Sequence, residues 1–69
     1  MADLTARTAL AQDHVTTGRR IVARQRQLIA TIRARGGDCG MAEDLLASFE
    51  RSLAVFEDDL AVIATKNGN

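Results

Sequence analysis

Three arginines recur every seven residues, at Arg19, Arg26 and Arg33. Three glutamates do the same, at Glu43, Glu50 and Glu57. These types at this spacing point to guanidinium–carboxylate pairing between two helices, because a seven-residue step returns to the same helix face. They do not point to catalysis. His14 and Cys39 are the single histidine and the single cysteine of the chain. A zinc site needs three or four converging ligands, and no such spacing occurs. His14 is therefore read as a packed or surface residue. Cys39 lies beside a predicted helix start, where a thiol pKa can fall. Redox sensing or an interchain disulfide is the functional reading there, and a small capping residue is the bland one. Glu57-Asp58-Asp59 is a solvated acidic face, since consecutive helical positions point around the helix and not at one site. No GKS/T loop, GxSxG elbow or HExxH run is present. The chain is thus expected to be no enzyme and to hold no cofactor or metal.

The elements that place these charges follow from composition and period. Proline is absent and Ala, Leu, Arg, Glu and Gln are abundant, so long uninterrupted helices are favoured. The fold class is all-α. Val15, Gly18, Val22, Gln25, Ile29 and Ile32 step by three and four, and form an a/d seam. Ala42, Leu46, Phe49, Leu53, Phe56, Leu60 and Ile63 form a second one. The stretch Arg35-Gly36-Gly37-Asp38-Cys39-Gly40 separates them and holds three of the five glycines. It predicts a reversal, with Gly36 or Gly37 ending one helix and Asp38 or Cys39 capping the next. Asp38 is the better cap on chemical grounds.

The expected architecture is one domain over 1–69. It is an antiparallel two-helix hairpin with a helix over about 4–35, a turn at 36–40 and a helix over about 41–66. Residues 1–13 have a weak apolar pattern and are expected to be helical but to fray, or to pack on a partner subunit. Asp3 is a candidate N-cap, and residues 66–69 read as a helix end and a disordered tail.

Folding at the turn pairs Arg19 with Glu57, Arg26 with Glu50 and Arg33 with Glu43. The nearest matching seam register pairs Ile32 with Leu46, Ile29 with Phe49, Gln25 with Leu53, Val22 with Phe56, Gly18 with Leu60, and Val15 with Ile63. Gly18 is expected to allow close helix approach. The ion pairs close one flank. Ile21, Leu28, Leu45, Val55 and Val62 lie on the other, and a two-helix hairpin cannot bury them. The expectation is a homodimer, a four-helix bundle joined through that flank.

Sixty-nine residues bury a small core, and such chains need staples or association. One cysteine rules out an internal disulfide. The net charge of zero hides a dipole. Residues 1–37 carry seven Arg against two Asp, and residues 38–69 carry seven acids against Arg51 and Lys66. The halves are therefore +5 and −5. Arg20 and Arg24 stay outward once the other arginines pair, so phosphate contact is the alternative use of the first helix. No aromatic residues are interleaved there to stack bases. The N-terminus lacks the apolar run of a signal peptide. No stretch approaches the roughly 20 apolar residues of a bilayer span. The expectation is a cytoplasmic protein with Cys39 reduced.

One set of residues also resembles a group of small uncharacterised alphaproteobacterial proteins. The run is His14-Val15-x-x-Gly18, Ile21-Val22, Gln25 and Leu28-Ile29, then Gly36-x-Asp38, then Leu45-Leu46-x-x-Phe49-Glu50-x-x-Leu53. The resemblance covers roughly residues 14–56. It implies a helical hairpin and no particular activity. The group carries Asp-Thr where this chain has Asp38-Cys39. By architecture and length the chain is also similar to Rop-type RNA-binding hairpin dimers, although fold does not imply function. The leading expectation is a non-enzymatic, self-associating helical interaction or regulatory module. The alternative is a nucleic-acid-binding (RNA-binding) hairpin dimer that uses Arg20 and Arg24.

Overall fold

A computed structural model describes the backbone of residues 3–67 and the side chains of residues 5–66. Two helices account for nearly all of it: α1, Asp3–Ala34, and α2, Gly40–Asn67. They pack antiparallel into a rod 54 Å long and 14 Å across. The Asp3 side chain, proposed above as a cap, lies outside the described residues, as do Gly68 and Asn69 of the expected tail.

The reversal occupies residues 35–39, one position earlier than the sequence suggested, and Gly40 already belongs to α2. The cause is visible in its hydrogen bonds. The Gly37 N–H donates to the Ile32 carbonyl at 2.9 Å, and the Gly36 N–H to the Arg33 carbonyl at 3.0 Å. This is a Schellman motif, which satisfies two of the orphan carbonyls at the helix end. Gly36 takes φ +74°, a conformation that a Cβ penalises. Gly37 is required for a different reason. A Cβ there would sit 2.9 Å from Ile32 Cγ2.

Capping of α2 is divided between two residues. The Cys39 carbonyl accepts the Glu43 N–H at 2.8 Å, so Cys39 is the N-cap by backbone. The Asp38 carboxylate accepts the Gly40 N–H at 2.9 Å. The Cys39 side chain is buried, in a cluster with Ile29 and Ala42 against which Ile32 and Leu46 pack. Gly36→Ala should therefore cost about 1–2 kcal/mol. A thermal melt followed by circular dichroism should show a fall of several degrees, and an unchanged midpoint would rule out the left-handed turn.

Burial follows the a/d pattern along both helices. In α1 the buried or half-buried positions are Thr8, Ala11, Val15, Gly18, Val22, Gln25, Ile29 and Ile32. At the turn Cys39 is buried, and in α2 the buried or half-buried positions include Ala42, Leu46, Phe49, Leu53, Phe56, Leu60 and Ile63. The seam is thus longer than expected. Thr8 and Ala11 continue it into the segment that was expected to fray or to seek a partner subunit. Cys39 extends it at the turn.

The seam register differs from expectation by one heptad. A Cβ on Gly18 would meet Leu53 Cδ1 at 3.0 Å and Leu53 Cβ at 3.7 Å, so Gly18 lies level with Leu53 and not with Leu60. Counting from that pair, Val22 is level with Phe49, Val15 with Phe56, Ala11 with Leu60, and Ile32 with Cys39. Each of the six seam pairs proposed from the sequence moves by the same step. Large residues still oppose small ones: Leu53 meets Gly18, Leu60 meets Ala11, and Ile29 meets Ala42. That alternation lets the helices interdigitate. Gln25 uses its seam position to donate from Nε2 to the Ala42 carbonyl at 2.9 Å. Among the described residues no buried side-chain polar atom lacks a partner.

Candidate interaction surface

The hairpin has two long flanks, and the heptad fixes what each carries. Residues at e lie on one side of the seam, and residues at g and c on the other. The e flank holds the ion pairs. Arg19 Nη2 meets Glu57 Oε2 at 3.1 Å, Arg26 Nη2 meets Glu50 Oε2 at 2.7 Å, and Arg33 Nη2 meets Glu43 Oε2 at 3.1 Å.

These pairs explain the misread register. Helical side chains tilt toward the N-terminus of their own helix. In an antiparallel hairpin an Arg and a Glu therefore lean toward each other along the axis. Their tips meet even though their backbones are offset by about 7.5 Å, five residues at 1.5 Å each. The charge pairing thus matches one register of tips and a different register of backbones. The six side chains are 43–67% exposed, so water screens each pair to roughly 0.2–1 kcal/mol. Changing Glu43, Glu50 and Glu57 to Arg should lower the melting midpoint by roughly 5–15 °C at low salt. Changing Arg19, Arg26 and Arg33 to Glu in the same chain should restore most of it. The whole effect should shrink in 1 M salt, and a double swap without rescue would contradict the pairing.

The g/c flank is the opposite in character. Ile21, Leu28, Leu45, Val55 and Val62, named from the sequence, are all exposed, at 40% to 57%. Two large apolar residues join them that the sequence reading passed over: Leu10 at 56% and Met41 at 84%. Both fall at c, the phase that had already marked Val55 and Val62. Their signal was present, but Leu10 lay in a segment read as weakly patterned and Met41 in the turn. Every large exposed apolar side chain among the described residues is on this one flank. The large exposed apolar side chains thus form one band along one side of the rod.

Polar groups interrupt the band: Arg7, His14, Ser52 and Asp59 share its g positions, and Arg24 a c position. The His14 ring packs on Phe56 in a tilted contact, with ring centroids 5.0 Å apart and 45° between their planes. The two rings share an open recess of about 310 Å³ with Arg7, Leu10, Asp59 and Val62 near the end of the rod remote from the turn. His14 is exposed while its ring packs on Phe56. No group of three or more His, Cys, Asp or Glu side chains is placed to hold a metal among the described residues. Cys39 is free and only 8% exposed, so the thiol is withdrawn from partners.

Arg20 and Arg24 are exposed. No ion pair engages either of them among the described residues. Phe49 and Phe56 are half-buried in the seam. No helix of the described residues is long and apolar enough to cross a membrane. No family model, curated protein or solved structure matches the chain.

Proposed function

We propose that the chain is a non-enzymatic, self-associating helical module that dimerises through its g/c flank into a four-helix bundle. The single observation that carries this is the confinement of Leu10, Ile21, Leu28, Met41, Leu45, Val55 and Val62 to one flank. The size of the face fits. A side 54 Å long and 14 Å wide projects to about 750 Å², close to the roughly 800 Å² per partner of a standard interface. The small core of the hairpin also favours association as its source of stability. In this reading the e-flank charges set the register of the hairpin, and the apolar band binds the second copy. Size-exclusion chromatography with light scattering at micromolar concentration tests it directly. Two chains per particle are expected, and a single chain would overturn the reading.

The unengaged Arg20 and Arg24 favour a second reading, a basic surface for nucleic-acid phosphates. It requires binding that weakens steeply with salt. Filter binding of RNA and DNA at 50 and 200 mM salt separates the two. Dimerisation with no salt-sensitive retention supports the protein-interaction role alone. Retention lost in Arg20→Ala/Arg24→Ala supports the phosphate role.

A further inference from the structure

We infer that the two hairpins pair with both turns at the same end, so that α1 of one copy lies on α2 of the other. This rests on the self-association proposed above and adds its geometry. Two identical rods pressed flank to flank have two two-fold arrangements. With the axis along the rod, the turns coincide and α1 covers the partner's α2. With the axis across the rod, the turns lie at opposite ends and like helices stack on like.

Two properties of the flank distinguish these arrangements. The first is the order of its g positions, which point toward the middle of a four-helix bundle. At the observed register they stack in tiers: Arg7 with Lys66, His14 with Asp59, Ile21 with Ser52, Leu28 with Leu45, and Arg35 with Asp38. The tiers recur about every 10 Å, seven residues at 1.5 Å. The same-end arrangement lays each tier on its own copy. Leu28 and Leu45 then meet Leu45 and Leu28, His14 meets Asp59, and Arg35 meets Asp38. The one tier of like charge, Arg7 with Lys66, lies at the open end of the rod, where long cationic side chains reach water.

The opposite-end arrangement shuffles this order. Centred on the middle tier, it sets Leu28 and Leu45 against His14 and Asp59, and Arg35 and Asp38 against Arg7 and Lys66, so that Leu28 and Leu45 lose their apolar partners. A one-tier slip in one direction sets the leucines against Arg7 and Lys66. A slip in the other direction leaves Leu10 and Val62 uncovered.

The second property is charge. The residue 1–37 half is +5 and the residue 38–69 half is −5. The three Arg–Glu pairs cancel three charges in each, leaving net charges of +2 and −2. Same-end pairing sets the positive helix on the negative one. Opposite-end pairing sets positive on positive and negative on negative, which costs association energy and slows encounter.

The test is energy transfer between copies of the full chain. Thr65→Cys marks the open end and Asp44→Cys the turn end, each in a Cys39→Ala background and labelled singly with donor or acceptor. Same-end pairing predicts strong transfer for the 65/65 and 44/44 mixtures and weak transfer for 44/65. The reverse pattern, weak 65/65 and strong 44/65, would overturn this inference and leave dimerisation standing. A single-chain mass would overturn both. A second measurement needs no cysteine substitution. Two full chains joined by a six-residue Gly/Ser linker, which reaches at most about 20 Å, should close on themselves and run with the mass of one tandem. Opposite-end pairing would need a span close to the rod length, and the tandem would then form larger particles.

Discussion

Gly18→Leu should lower the melting midpoint of the hairpin by roughly 5–20 °C. The reason is local. The nearest atoms to a Cβ on Gly18 all belong to Leu53, with Cδ1 at 3.0 Å. A leucine side chain has no volume to enter there, and overpacking of this kind costs about 1–3 kcal/mol. For a chain of this size each kcal/mol is worth about 4–8 °C. A rescue decides the register. Leu53→Ala should restore most of the loss in Gly18→Leu, because it vacates the space that the new side chain needs. Leu60→Ala in the same background should lower the midpoint further, since it removes packing one heptad away. If Leu60→Ala rescues and Leu53→Ala does not, Gly18 is not level with Leu53 and the register is overturned.

The second large effect is on association. Leu28→Glu combined with Leu45→Glu should convert the protein to single chains. Both side chains are about half exposed in the hairpin, at 48% and 50%. In an isolated hairpin, surface changes of this kind fall within about ±0.5 kcal/mol. In a dimer they place four carboxylates in one tier, desolvated and mutually repelling. The midpoint should drop by more than about 10 °C and lose its dependence on protein concentration. Gln27→Glu is the control. It adds a carboxylate on the outward face of the same helix, where Gln27 is exposed, and should leave mass and midpoint nearly unchanged. Equal behaviour of the control and the double variant would remove the g/c flank as the interface.

Much of the hairpin was legible in the sequence for plain physical reasons. Two seams with steps of three and four, separated by Gly36 and Gly37, define two helices and a reversal. The arginine and glutamate spacings select the antiparallel partners, and the structure pairs Arg19 with Glu57, Arg26 with Glu50 and Arg33 with Glu43. The seam register was not legible from those charges, because charge tips and backbone levels differ by the tilt of long side chains. Cys39 held the missing information. It stands one heptad before Leu46, in phase with it, and counting it as a seam residue opposite Ile32 gives the observed level. Reading it as a cap hid that role. Thr8 and Ala11 were passed over because a threonine and an alanine carry little apolar signal, yet small residues are what Leu60 and Ile63 require opposite them. Leu10 and Met41 were missed on the flank because their neighbours diluted the pattern. The proposed second copy on that flank rests on the charge and tier order of a single chain.

The most direct test of the account is the mass of the particle in solution as a function of concentration. Sedimentation equilibrium on the wild-type chain of 7.4 kDa should give twice that mass at micromolar concentration, and the Leu28→Glu/Leu45→Glu variant should give the mass of one chain. A wild-type particle that stays at one chain across the range, with a melting midpoint independent of concentration, would contradict it.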